Sequence, residues 1–142
     1  MADETKSNLT TVIEQINKNE ILLPDFQRNF VWKDEEQQKK LVASVLCKMP
    51  IGSILLLQAN PNEYAAKVIG CAKKKVDTGS LNNDVYFLLD GQQRITVLAN
   101  VFSNVIHENC PKVSELISLS LKKRFFLTIP DWKPYLEDDW FG

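Results

Sequence analysis

The spacing of apolar and polar positions divides this chain into helices and strands. Leu9, Val12, Ile13 and Ile16 recur at i, i+3, i+4 and i+7, the stripe of an amphipathic helix. Ser7 or Thr10 is its expected cap, and Asn17-Lys18-Asn19 its end. Ile21-Leu22-Leu23 reads as a short strand stopped by Pro24. A second helix opens at Asp34, an N-cap followed by acids, and turns Leu41, Val42, Val45 and Leu46 inwards. Residues 53–57 and 85–89 are apolar almost throughout, which predicts two neighbouring central strands of one mixed sheet, buried on both faces. Apolar positions at helical spacing then run from Gln92 to about His107, with Asn109, Cys110 and Pro111 ending the helix. Residues 116–121 fit either a helix or a strand, and residues 124–129 read as a strand ended by Pro130.

Two stretches break the pattern. Pro24-Asp25-Phe26-Gln27-Arg28-Asn29-Phe30-Val31-Trp32 mixes aromatics with polar groups and has no clean period. Such irregular segments often line sites; equally, Phe26, Phe30 and Trp32 fit as core anchors with Arg28 capping a carboxylate. Residues 58–83 carry Pro61, Gly70, Gly79 and Lys73-Lys74-Lys75, and read as a long mobile insertion with Val68-Ile69-Gly70-Cys71-Ala72 as an extra strand. The lysine run reads as a solvated loop.

The densest chemistry lies at Asp90-Gly91-Gln92-Gln93-Arg94, between the apolar run 85–89 and the helix that follows. A helix N-terminus presents free N–H groups and a positive dipole end, so an anion is favoured there. Gly91 lets the backbone turn sharply or approach a ligand closely. Arg94, a cation in the first turn, is suited to a phosphate or carboxylate, or to pairing with Asp90. Asp90 is suited to a divalent cation or to aligning a water, and Gln92 and Gln93 offer uncharged donors and acceptors.

The 142 residues make one domain's worth of chain, and 44% hydrophobic with 25% charged residues is ordinary for a globular fold. A net charge of −1 gives no global electrostatic signature of nucleic-acid binding. Cys47, Cys71 and Cys110 are widely spaced, and His107 is the single histidine, a pattern that argues against a zinc site or disulfide framework and for a reduced, cytoplasmic setting. The start is polar and acidic, unlike a signal peptide, and no apolar run approaches membrane-spanning length. Two tryptophans, Trp132 and Trp140, sit in a tail that completes no element, which suggests a fragment of a longer protein.

Three motifs, in order, resemble a known family. Ile21-Leu22-Leu23-Pro24-Asp25-Phe26-Gln27-Arg28 with Val31-Trp32, then Met49-Pro50-Ile51-Gly52-Ser53-Ile54-Leu55-Leu56, then Leu88-Leu89-Asp90-Gly91-Gln92-Gln93-Arg94-Ile95-Thr96 resemble the N-terminal domain of GmrSD-type, modification-dependent restriction enzymes. The resemblance implies a single α/β (α+β) domain of the ParB/sulfiredoxin-like kind, with a mixed β-sheet flanked by helices. It also implies nucleoside-triphosphate hydrolysis (GTP, ATP or another nucleotide, with Mg2+), sensing of modified foreign DNA, and a separate C-terminal nuclease domain of the H-N-H type, for which this chain has no matching stretch. Taken with the residues, it makes Asp90, Gln92 and Gln93 the expected catalytic groups and Asp90 the expected metal ligand. Gly91, Arg94, Gln27 and Arg28 are the expected nucleotide contacts. A DNA-recognition module that holds backbone phosphate without turnover, and a protein-interaction domain with a vestigial site, are the alternatives. Oligomeric state is left open.

Overall fold

Residues 85–90 form the strand on which the rest is assembled. The computed structural model describes residues 8–70, 75–110, 112–121 and 125–126. In chain order the elements are α1 (Leu9–Asn17), β1 (Ile21–Pro24), α2 (Glu35–Leu46), β2 (Leu55–Ala59), β3 (Ala66–Lys67), a 3-10 turn (Thr78–Ser80), β4 (Val85–Asp90), α3 (Gln92–Phe102), α4 (Val105–Asn109) and α5 (Val113–Ser118). The sheet order is β2-β4-β1-β3, with β1 parallel to β4 and the two outer pairs antiparallel. This is the mixed α+β sheet expected from the sequence.

Alternation along the two inner strands separates the core into two layers. Ile21, Leu23 and Leu88 join the larger cluster with Val12, Ile16, Leu41, Ile95 and Leu98, beneath the helices. Leu22, Val85 and Phe87 face the other way, where Tyr64, Val76 and Leu81 pack on them. The second face is therefore covered by residues 58–83, and the stretch read as an insertion supplies half of the sheet's cover. Ala66, Lys67, Val68, Ile69 and Gly70 are all buried. The strand in this stretch is Ala66–Lys67, just ahead of the expected 68–72, because Ala66 and Lys67 pair with Pro24 and Leu23. Cys71, Ala72, Lys73 and Lys74 lie outside the described residues.

Several other expectations are corrected. β2 does neighbour β4, but it is an edge strand and Leu55 is 51% exposed. The cap of α1 is Asn8, whose Oδ1 accepts from Thr11 N at 2.8 Å, in place of Ser7 or Thr10. Asp34 caps α2 as expected, yet Leu46 is 54% exposed, since it closes the last turn beyond the contact with α3. The helix expected from Gln92 to His107 breaks at Ser103, which is extended and whose Oγ donates to Ala99 O at 2.6 Å. That side-chain bond satisfies a terminal carbonyl, and α4 begins afresh two residues later. The ambiguous stretch from Leu116 is helical to Ser118, with Leu116 and Leu121 buried. Phe125 and Phe126 are in neither helix nor strand, and the remainder of the strand expected at 124–129 lies outside the described residues, as do Trp132 and Trp140. No helix among the described residues is long and apolar enough to cross a membrane.

Candidate functional site

β4 ends at Asp90 and α3 starts at Gln92, so one residue must reverse the chain. Gly91 does so at φ 93°, a left-handed conformation that costs other residues strain. A Cβ on Gly91 would also lie 3.3 Å from Ile54 Cγ1. As N-cap, Gly91 has no side chain to bond the first amides of α3, which leaves those N–H groups uncapped at the mouth of a cavity.

That cavity has a volume of about 200 Å³. Asp90 to Arg94 form one wall, and Gln27, Arg28 and Trp32 form the other. Every residue that the sequence marks as a candidate is thus brought to one place, although the two walls lie more than sixty positions apart in the chain. Gln27 bridges them, since its Nε2 donates to Leu89 O at 2.9 Å.

The residues divide by what their side chains already do. Gln93 is 7% exposed, and its Oε1 accepts from Val31 N at 2.8 Å and Trp32 N at 3.2 Å. Its Nε2 donates to Asn29 O at 3.3 Å. Three of its four hydrogen-bonding positions pin the irregular segment that carries Arg28. Gln92 differs: it is buried, lines the cavity, and its side chain makes no hydrogen bond with another described residue.

Arg94 lies along the floor. Its Nη1 donates to Ile51 O at 2.6 Å and its Nη2 to Ser53 O at 2.8 Å, and Nη2 is 3.6 Å from Asp90 Oδ2. The Ile51-Gly52-Ser53 loop accordingly wraps the guanidinium, and the side chain is 18% exposed. Arg94 thus lines the cavity and pairs with Asp90, the second of its two expected roles. Asp90 has a side chain 73% exposed. Arg28 is exposed and forms no ion pair with a described residue, so among the described residues its charge is not committed to a partner. Phe30 is a core anchor at 4% exposure, whereas Phe26 at 69% is not, and its ring meets Tyr64 edge-on.

Lys67 was not legible as a site residue. It is 3% exposed, and its Nζ donates to Gln27 O at 2.7 Å and Asp25 O at 3.3 Å. It braces the turn that delivers Gln27 and Arg28. The signal for it is a lone lysine inside Ala65-Ala66-Lys67-Val68-Ile69, an otherwise apolar run.

A single carboxylate beside a cleft fits Mg2+, which keeps several waters and takes one or two carboxylates together with phosphate oxygens. No cluster of three or more metal-ligating side chains occurs among the described residues, so phosphate would have to supply the remaining ligands.

The uncharacterized protein MJ0686 of Methanocaldococcus jannaschii is similar to this chain, with 35% identity over 100 residues. That span covers 69% of this chain and 17% of MJ0686, so the chain accounts for about a sixth of that relative's length. The model of the family described as GmrSD restriction endonuclease, N-terminal domain, matches residues 9–139. A match of that extent encloses both walls of the cleft and the loop around Arg94, and the chain belongs to the GmrSD restriction endonuclease N-terminal domain family.

Proposed function

We propose that the cleft binds a nucleoside triphosphate with Mg2+ and hydrolyses it, as the regulatory part of a modification-dependent restriction system. The observation that carries this reading is the pairing of uncapped α3 amides with an uncommitted cation, Arg28, across one cavity. Backbone N–H groups at a helix start suit phosphate oxygens, and an arginine facing them suits the terminal phosphate. Asp90 would hold the Mg2+, whose charge offsets that developing on the phosphoryl oxygens. Gln92, with its amide unbound, would orient the attacking water. The oxygen of that water forms a bond to the γ-phosphorus as the bond to the bridging oxygen breaks. The products are nucleoside diphosphate and phosphate, and the proton lost by the water passes through the phosphate oxygens to solvent.

Arg94 and Gln93 then act from behind. Arg94 fixes Asp90 and contributes charge to the floor; Gln93 holds the Arg28 segment at its working distance. The test is titration of the protein with ATP, GTP, CTP and UTP, with and without magnesium, following heat and phosphate release. Saturable, magnesium-dependent binding that Arg28→Ala weakens supports the reading. Absence of binding by all four would overturn it.

A further inference from the structure

Gln92 lines a second cavity as well, on the far side of the segment that Gln93 pins. It has a volume of about 170 Å³. Leu23, Phe30 and Val68 give it apolar walls, and Asn29, Lys67 and Glu115 give it polar ones. Lys67 is the unusual member. A primary ammonium has three N–H donors, and here two go to the carbonyls of Asp25 and Gln27. Burial of a cation is costly unless its donors are used, so the third calls for an acceptor in the cavity.

The lining holds one cation, Lys67, and one carboxylate, Glu115, so its charge balance favours a neutral ligand over an ion of either sign. Asn29 and Gln92 each present both a donor and an acceptor. Apolar walls with mixed donors and acceptors at the edge match a neutral, flat heteroaromatic ring. The placement matches too. Asn29 directly follows Arg28, and Gln92 lines both cavities, so the two are neighbours at the side chain of Gln92.

We propose that the cavity around Lys67 is the base subsite of the nucleotide, and that residues 66–68 and α5, outside the three sequence motifs, read the base. This rests on the nucleotide reading above. Calorimetry with inorganic tripolyphosphate and with each of the four ribonucleoside triphosphates, in magnesium, separates the two. The parent should bind at least one nucleotide about tenfold more tightly than tripolyphosphate, the scale of one well-packed base. Lys67→Met should erase that advantage. Because Lys67 also braces Gln27, Ser118→Trp is the second variant: Ser118 is an exposed residue on the cavity rim, so a bulky ring there obstructs the cavity without touching the core. In Ser118→Trp the nucleotide advantage should vanish while tripolyphosphate affinity moves by less than about twofold. A nucleotide advantage that persists in Ser118→Trp, or a parent that holds tripolyphosphate as tightly as every nucleotide, would overturn the base subsite and leave the phosphate site standing. Failure of tripolyphosphate and nucleotides alike to bind the parent would remove both.

Discussion

The guanidinium of Arg94 fills the space in which residue 52 would carry a side chain. A Cβ built on Gly52 would overlap Arg94 Nη1, and Gly52 also sits at φ +93°. The glycine is needed twice, for its conformation and for the cation against its backbone. Gly52→Ala should therefore destabilise the domain by about 1–3 kcal/mol. Urea unfolding of Gly52→Ala, Arg94→Ala and the double variant checks the link. The double variant should be less destabilised than the sum of the singles, because removing the arginine clears the clash.

Arg94→Ala alone leaves the carbonyls of Ile51 and Ser53 without their donor. A stability loss of about 1–3 kcal/mol is expected, read as a lower urea midpoint at an unchanged slope. Any effect on nucleotide affinity must be measured at a temperature where the variant remains folded.

Arg28→Ala should behave in the opposite way. Its side chain is exposed and has no structural ion pair among the described residues, so stability should stay within about 0.5 kcal/mol. Charge-assisted contacts contribute ~1.5–3 kcal/mol, so triphosphate affinity should fall about tenfold or more. Calorimetric titration at low and high salt measures both the loss and its screening.

Gln93→Ala removes the acceptor of two amides and the donor to one carbonyl. We expect a loss of about 1–3 kcal/mol together with faster hydrogen exchange at Val31 and Trp32. If those two amides exchange as in the parent, the pinning role is wrong.

Asp90→Asn should act on turnover more than on binding, because its proposed task is to place the metal at the reacting phosphate. Single-turnover phosphate release at saturating nucleotide, compared across magnesium concentrations, is the measurement.

The parts legible in the sequence are those with a strong local signal. The strand–glycine–helix reading of residues 85–102 needed only an apolar run, one glycine and helical spacing, and the cleft forms there. Asp34 announced its cap in the same way. What escaped is long-range. Nothing local distinguishes Gln93, which pins backbone 61 to 64 residues away, from Gln92, which faces the cavity. Residues 58–83 look like a loop because Tyr64, Val76 and Leu81 are scattered among proline, glycine, asparagine and lysine positions, yet these three cover Phe87 and Leu22. The edge position of β2 was equally hidden, since leucines at 55–57 read the same whether one or two neighbours pair with them.

The two walls of the cleft meet through hydrogen bonds that close loops of 62 residues, Gln27 to Leu89 and Val31 to Gln93. Contacts so remote in sequence form late, after the entropy of closing the loop has been overcome. During synthesis the front wall is made long before its counterpart leaves the ribosome. An emerging chain therefore has no cleft until residues 89–94 are out, and it acquires one only as β4 enters beside β1. Competence to bind is then a report on completed folding, and a ligand added during refolding should accelerate nothing before that step and hold the domain closed after it.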